Sequence, residues 1–323
     1  MNDDFGDVAR RALTEHGYSI RAASKAINYD MGYLSRVLSG KQSPSPNLAK
    51  AMDDLVGAQG ALAGLVLNPD DRGRVARSTQ HPSRVDAATV EALASVLSAY
   101  RRLDDTANPR TIIPATLAQM KEITGLLKRA RGEHRDALAE VASEFAQFGG
   151  WMLAQVRRDK EAEALLGQAL GIADDIGNGT LAAQALNFRG YITRQQGNHQ
   201  GIARWFSAAA LTPGAHPAQR IGDTLQAAAG FAALGELSRA LHMVEEAERL
   251  TGKAAAVPPP GTAYWLTPEF NRINLGLSTL ALRRYDEAVD HLTTGLAGLP
   301  AELQGALWTN EHREALKRAR EAQ

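Results

Sequence analysis

From Asp86 to the C-terminus the apolar side chains recur at three- and four-residue spacing with hardly a break. No stretch alternates apolar with polar residues in the manner of a half-buried strand. A chain patterned this way is confined to an all-α fold. Residues 86–104, 110–130 and 134–157 read as long amphipathic helices. Further on the pattern itself repeats, in KEAEALLGQALGIA (160–173), QGIARWFSAAALTP (200–213), LSRALHMVEEAERL (237–250) and YDEAVDHLTTGLAGLP (285–300). Each carries a small or apolar residue, a larger one four later and a small one three after that: Ala162/Leu166/Ala169, Ile202/Phe206/Ala209, Ala240/Val244/Ala247 and Ala288/Leu292/Gly295. Twelve residues before each triplet stands Gly150, Gly190, Ala228 or Gly276, small enough for paired helices to approach closely. Residues 301–320 read as a terminal capping helix.

The first 67 residues follow another plan. Phe5, Val8, Ala9, Ala12 and Leu13 mark a helix over 4–16 that Gly17 stops. Ser19 is a candidate N-cap for a helix from Ile20 to Ile27, and Asn28-Tyr29 supplies a turn, since Asn tolerates a left-handed backbone. Asp30 caps a third helix, Met31–Ser39, which buries Leu34, Val37 and Leu38 and ends at Gly40. Ser45 followed by Pro46 starts a fourth. AQGALAGLVL (58–67) reads as a fifth, packing back or contributing to a dimer contact. Net charge over the chain is zero, but residues 10–50 hold Arg10, Arg11, Arg21, Lys25, Arg36, Lys41 and Lys50 against Glu15 and Asp30. Such a local excess suits phosphate neutralisation.

Two short helices about a tight turn, with YLSRVLSGKQSPS (33–45) covering most of the second helix and the loop after it, resemble the XRE/Cro-type helix-turn-helix family over roughly residues 5–57. Its pattern of helix, glycine stop, basic loop and proline is present in order. Ser24 and Asn28 stand where the family usually has Ala and Gly, and Gly32 is a poor helix former. The resemblance implies a five-helix domain (1–67) whose third helix enters the DNA major groove. Tyr33 and Arg36 are then the candidates for base edges, and Met31 for a thymine methyl. Lys41, Gln42, Ser43, Arg21 and Lys25 suit phosphates, and Ser35 suits either. The alternatives are that Tyr33 packs in the core and that Arg36 makes a surface ion pair.

Residues 68–85, polar and rich in Pro, Gly and Ser, read as a linker, either a plain solvated one or a basic arm carrying Arg72, Arg74, Arg77 and Arg84. The repeats of 86–323 resemble tetratricopeptide repeats, although their triplets lie 40, 38 and 48 residues apart, with AAAVPPPGTA (254–263) in the longest interval. The resemblance implies an α-solenoid with a concave groove. The first helix of each pair is expected to turn Gln147, Trp151, Gln155, Asn187, Tyr191 and Arg194 toward that groove, where they suit an extended peptide or a carboxylate. Trp151 and Tyr191 serve equally as inter-helix packing.

The chain has no Cys, so disulfides, thiolate metal sites and a Cys nucleophile are excluded. No phosphate loop or His-Glu-x-x-His motif is present, and the eight His are never paired with acids at ligand spacing. No cofactor, metal or enzymatic activity is expected. No apolar run is long enough to span a bilayer and the acidic start is unlike a signal peptide, so a cytoplasmic protein with no membrane partner is expected. The resulting expectation is a transcriptional regulator that binds double-stranded operator DNA as a homodimer. Its repeat domain supplies the dimer contact and a site for a signalling peptide or small ligand, a combination that resembles peptide-responsive regulators of Gram-positive bacteria. The alternative is a tetratricopeptide-like interaction scaffold without specific DNA binding.

Overall fold

The computed structural model describes residues 3–58, 60–66, 73–74, 85–105, 108–254, 257–259 and 263–323. Among them every regular element is helical. The chain divides into two compact units, Met1–Arg157 and Arg158–Gln323.

The first unit begins with α1 (Asp3–Glu15), α2 (Ile20–Ala26), α3 (Met31–Leu38), α4 (Pro46–Val56) and a short α5 (Ala61–Gly64). The starts follow local chemistry. The side chain of Ser19 accepts from Ala22 N, that of Asp30 from Tyr33 N and that of Ser45 from Leu48 N, each satisfying an amide the helix leaves free. Between α2 and α3 Asn28 takes the left-handed conformation at φ 55°. Phe5, Val8, Leu13, Ala23, Leu34, Val37, Leu38, Leu48, Met52 and Val56 close a common core. Gly6 is needed for it. A β-carbon there would lie 2.7 Å from the carbonyl oxygen of Val37 and 2.8 Å from that of Leu38, so α1 crosses directly over the end of α3.

The fifth helix is shorter than the 58–67 expected from sequence. Gly57 ends α4 in the left-handed region and Gly60, also at positive φ, stands at the start of α5.

The unit continues with α6 (Ala87–Asp104), α7 (Pro109–Arg129) and α8 (Arg135–Gln155). Most of the expected linker, including Arg72, Arg77 and Arg84, lies outside the described residues. Arg74 pairs with Asp86 at 2.8 Å. Asp86 caps α6, and its bonds from the Thr89 hydroxyl and amide, with Arg74 alongside, bring its carboxyl down to about 2. Two contacts tie the first helices to α6 and α7. A β-carbon on Gly64 would lie 2.6 Å from that of Ala99. Pro114 inside α7 has no amide for the carbonyl of Arg110, and Arg11 donates to that oxygen instead, at 3.1 Å.

The second unit runs α9 (Asp159–Asp175), α10 (Gly179–Gln195), α11 (His199–Leu211), α12 (Pro217–Ala233), α13 (Leu237–Ala254), α14 (Pro268–Ala281), α15 (Tyr285–Gly298), α16 (Ala301–Gln304), a 3-10 turn (Leu307–Thr309) and α17 (Asn310–Glu321). Most helices pack on their sequence neighbours, and α12 also packs on α14. All four small–large–small triplets are buried. The single terminal helix expected over 301–320 is broken instead. Ala306 is extended, which turns Thr309 inward and lets α17 start afresh.

Gly190 of α10 meets the ring of Phe206 from α11, whose atoms would lie 2.7–2.8 Å from an added β-carbon. Phe206 is fully buried and cannot swing away. Gly190→Ala is therefore expected to cost about 1–3 kcal/mol by overpacking, read as faster amide exchange in residues 179–211. Unchanged exchange there would contradict this packing.

Candidate nucleic-acid interface and groove

The outward face of α3 is set by its inward one. Leu34, Val37 and Leu38 are buried, which leaves Met31 (52% exposed), Ser35 and Arg36 facing solvent. Arg36 is not loose. Its Nε donates to Gln42 Oε1 at 3.0 Å, and one terminal nitrogen lies 3.3 Å from where a β-carbon of Gly32 would stand. The glycine that weakens the helix thus makes room for the guanidinium to fold back over its first turn. Arg21, Lys25, Lys41 and Gln42 are exposed around this face, and Ser43 is half-buried.

Tyr33 differs from the simple expectation of a base-reading side chain. It is half-buried, its ring stacks on Tyr29 with centroids 6.2 Å apart, and its hydroxyl accepts from Ser45 N at 3.1 Å. It braces the loop 39–45 against α3 and so fixes where Lys41, Gln42 and Ser43 stand.

Two residues of this region have roles the sequence did not reveal, Arg10 having counted only toward the basic excess. Arg10 donates to the carbonyl of Leu38 and pairs with Asp7, so α1 holds the C-terminus of α3. Asp53, only 3% exposed, accepts from the amides of Gly60 (2.6 Å), Leu62 (2.6 Å) and Ala63 (3.0 Å). Neither leaves a periodic trace, because each acts on a backbone group of another element.

The six residues expected to share one groove fall in different units, three in each. In the first unit Gln147 is fully buried rather than turned to a groove. Its neighbours on the same face of α8, Ser143 and Gly150, are buried with it. Trp151 Nε1 donates to Asp104 Oδ2 at 2.8 Å and Gln155 Nε2 to Asp104 Oδ1 at 3.0 Å, so both tie α8 to α6. Burial pushes the Asp104 carboxyl up to about 6 despite these bonds and the nearby charge of Arg101.

In the second unit Asn187 Nδ2 donates to Asp223 Oδ1 at 2.5 Å, and Gln219 Nε2 to Asp223 Oδ2 at 2.8 Å. Asp223 is completely buried, which raises its carboxyl to about 7 against both bonds. The amides of Gln184 and Asn274, each 1% exposed, have no hydrogen-bond partner on either atom among the described residues. Two turns further along α10, Arg194 is taken up by α17. Its Nη2 and Nε donate to Glu311 Oε1 (2.7 Å) and Oε2 (3.2 Å), and Gln195 Nε2 adds a bond at 2.8 Å. The guanidinium also meets Gln226 Oε1 and lies 5.4 Å from the ring centroid of Tyr191. Burial alone would raise the Glu311 carboxyl, but Arg194, His312 and these bonds outweigh it and hold it below the usual range.

Among the described residues no cluster of His, Asp or Glu is arranged to hold a metal ion, and no helix is long and apolar enough to cross a membrane.

Residues 4–65 match the family described as a helix-turn-helix domain. No curated protein sequence matches the chain significantly. The N-terminal part of the first unit is a helix-turn-helix DNA-binding domain, and a packed all-helical domain follows it.

Proposed function

We propose that the protein is a sequence-specific transcriptional regulator of the XRE/Cro type that acts in the cytoplasm and binds double-stranded operator DNA as a homodimer. One short α3 reads few base pairs, and paired half-sites remedy this. The remaining helices form a tetratricopeptide-like array that mediates dimerisation and senses a peptide or small ligand. The observation carrying this reading is the outward face of α3, where Met31, Ser35 and a pre-positioned Arg36 stand exposed beside Arg21, Lys25, Lys41 and Gln42. Arg36 suits guanine through two parallel bonds, and the lysines suit phosphates.

The test is binding to the upstream region of its own gene at ~150 mM salt. Arg36→Ala is expected to weaken specific binding by about 1–3 kcal/mol and to leave non-specific binding nearly unchanged. Lys41→Ala is expected to weaken both and to lower the salt slope by about one. Weak binding to any sequence, equally affected by both substitutions, would favour an interaction scaffold instead.

A further inference from the structure

The contact between Arg194 and Glu311 has the chemistry of a ligand site with its ligand attached. One carboxylate receives a two-pronged grip from a guanidinium and a third bond from the Gln195 amide. The guanidinium is steadied from behind by Gln226 and the Tyr191 ring. Forked recognition of this kind is what protein sites use for carboxylates. The carboxylate comes from residue 311, 117 positions away on the chain's last helix. That helix is seated through a costly arrangement. His312 beside Glu311 is 2% exposed, with Nδ1 left without a hydrogen-bond partner among the described residues. Its ring is held among Phe270 and Trp308.

A second observation points the same way. Asn187, one member of the Asp223 cluster, lies two turns from Arg194 on α10, roughly 10 Å at 1.5 Å per residue. Gln184 on α10 and Asn274 on α14 contribute four buried amide atoms with no partner among the described residues. An unpaired buried polar atom is costly, because the bonds to water that it gives up on folding are not replaced. Of these, Asn274 is the one near the grip: its Nδ2 stands 3.1 Å from where a β-carbon of Gly222 would lie, one turn before Gln226 on α12, whereas Gln184 lies about 15 Å along α10 from Arg194, and a ligand that reaches past the guanidinium to Asn274 explains that amide's cost.

We infer that Arg194, Gln195 and Gln226 form a binding site for the carboxylate of an amide-bearing ligand, and that Glu311 occupies it in cis until such a ligand displaces it. This rests on the reading of the second unit as a sensor and names the chemistry it senses. α17 is then the part that moves, because a ligand carboxylate and Glu311 cannot hold the same guanidinium.

The test uses the full chain and sodium propionate, the side-chain fragment of glutamate, with sodium chloride at equal ionic strength as the control. The reporter is the Nε–H resonance of Arg194, identified by its loss in R194Q. In E311A, and in the isosteric E311Q should alanine loosen α17, propionate is expected to shift this resonance saturably. Half-saturation should come at a concentration at least tenfold lower than in the unsubstituted chain. In the unsubstituted chain, propionate but not chloride is expected to speed amide exchange in 307–321. Equal effects of the two salts, equal midpoints with and without Glu311, or no saturable shift in either variant would overturn the site. Operator affinity is measured separately. A site that binds propionate without altering operator binding would remove the sensor reading and leave the carboxylate site standing.

Discussion

Asp53→Ala is expected to destabilise the first five helices by about 3–4 kcal/mol, a large share of the stability of a small domain. Asp53 sits near the end of α4 with 3% of its surface exposed. Its two oxygens receive the amides of Gly60, Leu62 and Ala63, the free donors at the start of α5. A carboxylate accepting backbone amides makes stronger bonds than a neutral acceptor. Without it these donors lose their partner together, and water reaches only those not fully enclosed. The damage spreads through α5, because Leu62 is fully buried and Gly64 lies against Ala99 of α6. Asp53→Asn keeps the shape and one acceptor, so about half the loss is expected. Residue-resolved amide exchange over 46–66 measures both variants, and a loss below about 1 kcal/mol for alanine would show that α5 is held by apolar packing alone.

What could be read from the sequence was local. Ser19, Asp30 and Ser45 cap the helices they were expected to cap, and Asn28 takes the left-handed turn, because a cap or turn acts within three or four residues. The buried triplets were legible for the same reason, since a helix face is a matter of period. The polar pairings were not. Trp151 meets Asp104 across 47 residues and Arg194 meets Glu311 across 117, and no periodicity reports on a partner so distant. Expecting Gln147 on an open face failed because helical period says which residues share a side, not which side stays uncovered. Tyr33 was read as reaching outward or inward, whereas it does a third thing: its ring lies along Tyr29 while its oxygen holds Ser45.

Asp223→Asn is expected to stabilise the second unit by on the order of 4 kcal/mol at pH 8 and to leave it nearly unchanged near pH 4, at about 1.4 kcal/mol per pH unit. Burial lifts the Asp223 carboxyl from 3.8 to about 7, so the folded chain prefers the neutral acid. Stability that is complete below 3.8 therefore drains away as pH rises through 7 and the ionised form is forced into an enclosed site. His312 works in the opposite sense. Burial lowers it from 6.5 to about 4 against the pull of Glu311, so its share is complete above 6.5 and is lost as pH falls toward 4. Glu311, held below the usual carboxylate range, acts in the same sense as His312, its share complete above 4.5 and lost as pH falls. Between pH 4 and 6.5 the slopes of Asp223 and His312 oppose each other, so the second unit of the unsubstituted protein should show a much shallower rise than the variant. Asparagine at 223 removes one slope. The variant should gain on the order of 3 kcal/mol from pH 4 to 6.5 through His312, with His291, which burial also lowers, adding in the same direction. Urea titrations followed by amide exchange in residues 217–233 read this directly. A variant no more stable than the parent at pH 8, or one whose profile rose no more steeply than the parent's, would mean that water reaches Asp223 in the folded chain and that its neighbouring amides are hydrated.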